Sequence, residues 1–223
     1  MRKVAKSSEP IELTSWKQRH PQLTKYSDLN KKTNSDALKA EGKLVIDAIR
    51  TQNVKDQYYL CAYCMCLVED RQDSAMNEHV EARSLNHQRE LDFGNIVASC
   101  TTKNQCDHSH GNQPLNLHCL MDECEEELEY RLNGKILGST VRAKEAIKVL
   151  NLGDEHVNNR FLIDQRKLYI EMYILHDQGI ELDELKLEDD DILEMMLEEL
   201  TTINNDCLPA YSPVIASIIQ KLL

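Results

Sequence analysis

Hydrophobic positions recur at helical spacing in five parts of the chain. They predict an α-helix over residues 36–52, a helix over 139–150 and another over 157–174, whose first apolar position is Val157. The acidic segment 181–199 predicts an amphipathic helix with a solvated acidic face, and 214–223 predicts a last short helix after two prolines.

Shorter patterns predict strands and turns. Residues 58–60 predict a strand that leads into a pair of cysteines, and residues 67–68 and 78–80 predict the two strands of a ββα unit. Residues 93–98 predict the turn and the lead into the helix of that unit. Asn133-Gly134 predicts a hairpin turn.

These elements predict an α+β protein that is mostly α-helical and has three segments. Residues 1–57 form a basic arm and a helix, residues 58–140 a central core, and residues 141–223 a helical region. We expect the first 36 residues to be irregular, because they are rich in polar residues and contain Pro10 and Pro21.

Composition indicates a globular protein of the cell interior. Of the 223 residues, 41% are hydrophobic and 29% charged, which excludes a disordered chain. The basic start Met1-Arg2-Lys3 is not followed by an apolar run, so we expect no signal peptide and a cytoplasmic location. In a reducing compartment the eight cysteines are expected to be metal ligands or buried thiols.

The net charge of −12 is unevenly distributed. Residues 1–60 hold twelve Lys/Arg and seven Asp/Glu, a net charge of +5, whereas residues 177–200 hold one Lys and eleven Asp/Glu, a net charge of −10. The acidic end would repel a phosphate backbone and the basic end could contact one. A partner protein could also supply positive surface.

Four cysteines have a spacing that suits a structural zinc site. Cys61 and Cys64 are separated by two residues, and Cys100 and Cys106 by five. Four thiolates close a tetrahedral zinc site and leave no open position. The alternative is a set of buried free thiols. Cys66 is the best substitute ligand, and the remaining cysteines are expected to be plain thiols: Cys119, Cys124 and Cys207.

Between the cysteine pairs lie Glu78-His79 and Asn95. A histidine can deprotonate water while an adjacent carboxylate holds Mg²⁺ or Mn²⁺. Successive strand residues point to opposite faces, so both side chains reach one ion only where the strand ends or bends. An amide at position 95 can orient the histidine or pin its loop. The alternatives are a surface ion pair and a turn residue after Gly94.

The run Cys106-Asp107-His108-Ser109-His110 predicts a helix that begins at a second metal. Asp107 is the favoured ligand, because a carboxylate suits Mg²⁺. His108 is the next candidate ligand, and His110 is expected nearer to a substrate phosphate. Arg83 is a candidate phosphate clamp. The alternative is an ordinary helix start with polar caps.

The order of these residues resembles that of the HNH nucleases with a zinc-stapled ββα-metal fold, and within them the PtuB family. The resemblance covers about residues 1–175 and is carried by these segments: 60–64, 77–80, 91–100, 106–112, 146–152 and 159–160. The family usually has a basic residue at the position of His110. It commonly has a proline after the Glu-His pair, where this chain has Glu81-Ala82-Arg83.

The resemblance implies an HNH endonuclease that serves as the effector of a Septu-type or retron-associated anti-phage system. It implies partnership with an ABC-type ATPase, PtuA, and in the retron form with a reverse transcriptase and its RNA–DNA product. DNA and RNA substrates both stay open, since the motif contacts backbone phosphate.

Two other functions stay open at this point. The first is a zinc-stapled binding subunit without catalysis. The second is a subunit that docks on the ATPase through the apolar faces of residues 192–200 and 214–223, unless those faces pack on the chain's own core.

Overall fold

The computed structural model describes residues 1–154, 156 and 158–223. It is an α+β structure with two small antiparallel sheets. The helices are α1 (Ile11–Arg19), α2 (Asp36–Asp56), α3 (Asp107–His110), α4 (Glu123–Glu126), α5 (Val141–Val149), α6 (Arg160–Glu171), α7 (Asp190–Thr201) and α8 (Ser212–Ile219). The strands are β1 (Ala75–His79), β2 (Ile96–Cys100), β3 (Leu128–Tyr130) and β4 (Ile136–Gly138).

The prediction of an irregular arm over the first 36 residues is wrong for Ile11–Arg19, which form α1, and for Tyr26–Asn30, which form a 3₁₀ turn, whereas residues 1–10 contain neither helix nor strand. Pro10 is the N-cap of α1 and does not break the helix. A proline is tolerated there because the first helical positions need no amide hydrogen. Leu13 and Trp16 of α1 are fully buried against α2. Two buried apolar positions in a nine-residue helix are too few to form a recognisable period, which is why the sequence pattern missed it.

The helix predicted over 36–52 is confirmed and continues to Asp56 as α2. The Ser35 hydroxyl caps it by accepting a hydrogen bond from the Leu38 amide. Gly42 lies where the 3₁₀ turn Tyr26–Asn30 crosses the helix. A Cβ at position 42 would lie 1.8 Å from the Leu29 carbonyl oxygen, so this crossing requires a glycine.

Of the strands predicted in the central core, the one over residues 78–80 is confirmed in part, since Glu78 and His79 end β1, whereas those over 58–60 and 67–68 are wrong. Tyr58 and Tyr59 have φ values of 53° and 61°, so residues 58–60 form a left-handed turn and not a strand. Residues 67–68 are also not a strand, since Leu67 forms only an isolated bridge with Leu60.

The sheet of this core is formed by β1 and β2, in a register that runs from Ala75 opposite Cys100 to His79 opposite Ile96. In the segment 93–98, which was expected to form a turn and the lead into a helix, the turn is found at Phe93–Asn95, but Ile96 begins the buried strand β2. The one-turn helix α3 follows it.

The predicted hairpin and the helices α5, α6 and α8 agree with their sequence patterns. The helix predicted over 181–199 forms only from Asp190 onward, as α7, because Asp189 has the extended backbone of an N-cap, and residues 181–189 contain a short 3₁₀ turn, Leu185–Leu187. Asn133-Gly134 connects β3 to β4, with Gly134 at φ 79°. Helix α5 is capped by Thr140, and α6 continues as a π-helical turn, Met172–Asp177. Val157 lies outside the described residues.

The last two helices cover the chain's own core. Leu193, Met196 and Leu200 of α7 are buried, and α7 packs against α8, which also contacts β3. The expectation that these apolar faces are exposed for docking is therefore wrong, and the alternative, packing on the core, is confirmed. One hydrophobic core includes residues of all three predicted segments.

Membrane spans are not found in the described part of the chain, where no helix is both long enough and apolar enough to cross a bilayer.

Candidate metal and nuclease centre

Cys61, Cys64, Cys100 and Cys106 form one buried cluster, as the sequence predicts. Their sulfur atoms all lie within 4.8 Å of one another. Cys61 Sγ is 3.8 Å from Cys106 Sγ, and Cys64 Sγ is 3.8 Å from Cys100 Sγ. A tetrahedral zinc ion with Zn–S bonds of about 2.3 Å needs sulfurs about 3.8 Å apart. The cluster therefore has the dimensions and the chemistry to hold a structural zinc ion.

Three parts of the chain bring these cysteines together. Cys61 and Cys64 lie in a tight turn after α2, closed by a 2.8 Å hydrogen bond from the Cys61 amide to the Cys66 carbonyl. Cys100 ends β2, and Cys106 precedes α3. The Ala62 amide donates to the Ala98 carbonyl at 3.0 Å and joins the turn to the sheet.

The buried sulfurs need a cation before they can all be charged. Burial raises the pKa of the Cys106 thiol well above its usual range. Metal binding would replace the thiol protons with a divalent charge, and this couples zinc affinity to pH. Cys66, the predicted substitute ligand, is half-buried, with its Sγ 3.5 Å from Cys64 Sγ.

Glu78 lies on the face of β1 that is turned toward α3. Its carboxyl contacts His110 Nδ1 at short range and accepts a 3.4 Å hydrogen bond from the Tyr63 hydroxyl. Burial, and after it the neighbouring carboxyl of Asp107, raises the pKa of Glu78 to about 10. Without a cation Glu78 is therefore protonated at neutral pH.

His110 is fully buried and has partners at both ring nitrogens. Its Nε2 lies 2.8 Å from the Gln113 carbonyl oxygen, which can only accept, so Nε2 carries a proton. Burial lowers the pKa of His110, which leaves Nδ1 as the acceptor for the Glu78 proton. The structure thus places His110 inside the molecule and not at the surface where a phosphate contact was expected. His108 is exposed.

His79 is the last residue of β1 and points to the opposite face from Glu78. Its Nε2 lies 2.8 Å from the Glu90 carbonyl oxygen, so Nε2 is the donor and Nδ1 is left with a free lone pair. Burial lowers the pKa of His79 and keeps the ring neutral. Only 5% of this residue is exposed.

Asn95 holds the loop that follows His79. Its Oδ1 accepts a 2.8 Å hydrogen bond from the Glu81 amide, and its Nδ2 donates a 3.0 Å hydrogen bond to the Glu81 carbonyl. The backbone of Asn95 also accepts from the Val80 amide. This geometry matches the loop-pinning role that the sequence allowed for Asn95. A cleft of about 400 Å³ opens beside it, lined in part by Leu85 and His118.

Tyr26 and Glu90 enclose His79, and the sequence pattern missed both. The Tyr26 ring meets the His79 ring edge to face, with centroids 4.9 Å apart. Its amide donates to Glu90 Oε2, and its hydroxyl accepts from Asn77 Nδ2. Arg83 is exposed, with its guanidinium 5.7 Å from the centroid of the Tyr26 ring. Tyr26 is 53 residues away from His79 in sequence, and no local pattern marks such a contact.

The structure therefore brings Glu78, Asp107 and His110 together on one side of the end of β1. His79 lies at the strand end and Asn95 supports its loop. Within the described residues, the four cysteines are the one set of three or more His, Cys, Asp or Glu side chains whose ligand atoms all lie within 4.8 Å. The ligand atoms of Glu78, Asp107 and His110 thus do not all lie within that distance of one another, as the sulfur atoms of the cysteine cluster do.

A scan of the sequence against protein-family models finds no match, and a search of curated proteins finds no significantly similar sequence. Geometry and chemistry of the residues are therefore the basis for assigning a function to this site.

Proposed function

We propose that the chain is a metal-dependent HNH-type endonuclease that hydrolyses nucleic acid phosphodiester bonds. The observation that carries the proposal is the meeting of Glu78 and Asp107 beside His79. Glu78 and His79 lie on β1, and Asp107 begins the one-turn helix α3, directly after Cys106 of the cysteine cluster. A buried acid with a strongly raised pKa next to a second carboxyl suits a divalent cation, which would relieve the repulsion of the two charges.

Five candidate residues have roles in this mechanism. His79 Nδ1 takes a proton from the attacking water, since Nε2 is held by Glu90. Glu78 and Asp107 would hold Mg²⁺ or Mn²⁺, and His110 would be the histidine that accompanies them in place of the exposed His108. When bound, the cation would stabilise charge on the phosphate and the leaving oxygen. Asn95 keeps the His79 loop in place.

The zinc-held cysteines have a structural role in this proposal. They fix the end of β2 and the start of α3, and these two positions set where Asp107 meets Glu78. A zinc ion bound by these four thiolates would have no open coordination position for a substrate.

The proposed biological setting follows from the resemblance to the PtuB family. In that setting the chain is an anti-phage effector that works with the ATPase PtuA, with or without a reverse transcriptase. Its net charge of −12 supports the need for a partner, because isolated acidic chains bind polyanions weakly.

Cleavage assays test the proposal directly. Supercoiled DNA, single-stranded DNA and structured RNA would be incubated with the purified protein and its ATPase partner, in chelator and then in Mg²⁺ or Mn²⁺. We expect cleavage to need the added cation and to fall on the order of a hundredfold or more in His79→Ala. The exposed His176 supplies the matched control, His176→Ala, which should cleave like the wild type.

The variants His110→Ala and His108→Ala separate the two candidate histidines. We expect a loss of activity and of Mn²⁺ binding in the first and neither loss in the second. Wild-type cleavage by His79→Ala would refute the assignment of the general base. Metal-independent nucleic acid binding without cleavage would favour the binding-subunit alternative.

A further inference from the structure

Gln105 is a buried glutamine that points at the sulfur cluster. It immediately precedes Cys106, and only 3% of it is exposed. Its Nε2 lies 3.7 Å from Cys64 Sγ and 3.7 Å from Cys100 Sγ. A buried amide without hydrogen-bond partners lowers the stability of a protein. The two sulfur contacts give the N–H groups of Gln105 their partners.

A chain of hydrogen bonds determines which end of the Gln105 amide faces the sulfurs. The Leu162 amide can only donate, and it bonds to Asn159 Oδ1 at 3.2 Å. Asn159 Nδ2 is therefore the end that contacts Gln105 Oε1 at 3.0 Å. The same Nδ2 lies 2.9 Å from the Asn151 carbonyl, which can only accept and so agrees with this orientation. Gln105 must then present its two N–H bonds to the cysteines.

We infer that Gln105 is a positioning residue of the cysteine metal centre and that Asn159 holds it in place. Four thiolates and one Zn²⁺ carry a net charge of −2, which is unfavourable in a buried site unless donors disperse it. The Cys100 amide donates to Cys61 Sγ at 3.3 Å, and Gln105 serves Cys64 and Cys100. Together these donors contact three of the four sulfurs.

Asn159 gives the C-terminal helical region a direct connection to the metal centre. It is the N-cap of α6, so the start of that helix and the amide of Gln105 are held by one side chain. Asn159 lies in segment 159–160, which the sequence analysis singled out and the proposed catalytic chemistry does not use. The inference depends on metal binding by the four cysteines and not on nuclease activity.

Metal affinity, measured with zinc alone, tests the inference. Zinc dissociation constants would be obtained by competition with a chromophoric chelator, and Co²⁺ substitution would report the sulfur-to-metal absorption bands. We expect about 10- to 100-fold weaker zinc binding in Gln105→Leu, the range typical of lost outer-sphere partners. Gln105→Glu should weaken it at least as much, because its carboxylate oxygen would face two thiolates.

Asn159→Asp is the sharper variant. It keeps the oxygen that caps Leu162 but loses the donor that holds Gln105, so zinc affinity should fall while α6 stays capped. The exposed Gln88 provides the control, since Gln88→Leu should bind zinc like the wild type.

Wild-type zinc affinity and an unchanged Co²⁺ spectrum in folded Gln105→Leu and Gln105→Glu would overturn the inference. If Gln105→Leu does not fold, the same measurements on Asn159→Asp decide it. None of these readouts depends on cleavage, so a failure here is distinguishable from a failure of the nuclease proposal.

Discussion

At the scale of single residues, the candidate centre depends on polar side chains that are buried and paired. Asn95, His79 and Gln105 each use a backbone or side-chain partner that fixes the direction of one nitrogen. A histidine whose Nε2 must donate is a base at Nδ1 and at no other atom. The residue type alone does not tell which ring nitrogen of a histidine can accept a proton, whereas one hydrogen-bond partner does.

His118 offers a test of such pairing through pH. Its Nδ1 accepts a 3.3 Å hydrogen bond from the Leu120 amide, and burial lowers its pKa below the usual 6.5. Because the unfolded chain takes up the proton at a higher pH than the folded protein does, the stabilising contribution of the neutral imidazole is fully present above pH 6.5. It is lost as the pH falls through the folded pKa. We expect the wild type to lose more unfolding free energy than His118→Asn on acidification.

The measurement compares denaturant midpoints of both proteins at about pH 7.5 and about pH 5.5, on either side of the histidine range. Asparagine is the matched substitution because its side-chain oxygen can still accept from the Leu120 amide but does not titrate. Identical pH slopes in the two proteins would contradict this role of His118.

At the scale of elements, the centre depends on where one segment crosses another. The 3₁₀ turn Tyr26–Asn30 lies against α2 at Gly42, and this contact brings the Tyr26 ring onto His79. The two strands position the candidate residues because β1 ends at His79, which pairs with Ile96, the residue after Asn95. An element boundary therefore places His79 and Asn95, whose side chain supports the loop after it, side by side.

Gly42→Ala should destabilise the protein even though alanine is the better helix former. The gain in helix propensity is about 1 kcal/mol. Overpacking typically costs about 1–3 kcal/mol, and here the added carbon would meet the Leu29 backbone, which cannot rotate away. We expect a lower denaturation midpoint and a more accessible His79, measured by chemical modification of the imidazole.

Lys43→Ala on the exposed side of α2 is the control for Gly42→Ala and should change stability by no more than about 0.5 kcal/mol. A midpoint of Gly42→Ala equal to or above that of the wild type would show that the turn can move away without loss.

At the scale of the whole molecule, the cysteine cluster joins parts that are distant in sequence. The turn that contains Cys61 and Cys64 contacts β2 through Ala62 and the C-terminal region through Met65, whose carbonyl accepts from the Tyr211 amide at 2.9 Å. A metal at this point would connect the central core to both flanking segments.

Zinc removal is therefore expected to reduce the stability of the whole chain. Elemental analysis should find about one zinc per chain, as expected for a four-thiolate site. A strong chelator should lower the melting temperature, because structural zinc contributes folding energy directly. Cys61→Ser should reproduce the loss, and Cys207→Ser, outside the cluster, should not. Zinc-free protein with an unchanged melting temperature would refute the assignment.

Truncation after residue 176 should leave the remaining chain poorly folded. It removes α8, of which Val214, Ile215 and Ile219 are almost fully buried, and each such side chain contributes about 1.5–3 kcal/mol. The free energy lost when the buried side chains of α7 are also removed is comparable to the typical stability of a domain, about 5–15 kcal/mol. Circular dichroism and the zinc content of the truncated chain are the measurements, and a fully folded, zinc-bound fragment would contradict the expectation.

Docking on the proposed ATPase partner would need a test that perturbs the fold less than truncation does. Met195 lies on α7 and is 57% exposed, so Met195→Asp changes the surface without opening the core. Loss of co-purification in this folded variant would identify α7 as the contact surface.

Local periodicity was enough to predict α2, α5, α6, α8 and the β3–β4 hairpin, because each has a repeated apolar face or a marked turn, and it predicted α7 except for its start, which lies at Asp190 and not at Glu181. The order of cysteines, Glu-His and asparagine was enough to predict the four-cysteine cluster, since ligand chemistry restricts which residues can share a metal. Helix α1 and strand β2 were not predicted, and of β1 only its end at Glu78 and His79 was, because the few apolar side chains of these elements are selected by contacts far away in sequence.

Tertiary structure alone decided the atoms on which the chemistry depends. The sequence favoured His108 over His110 as a metal ligand, yet the one-turn helix turns His110 inward against Glu78 and leaves His108 exposed. Likewise, Tyr26, Glu90 and Gln105 became part of the two centres only when the chain folded. The physical reason is that spacing determines which residues can be neighbours along an element. Burial and hydrogen bonding between elements determine which of them meet and in which protonation state.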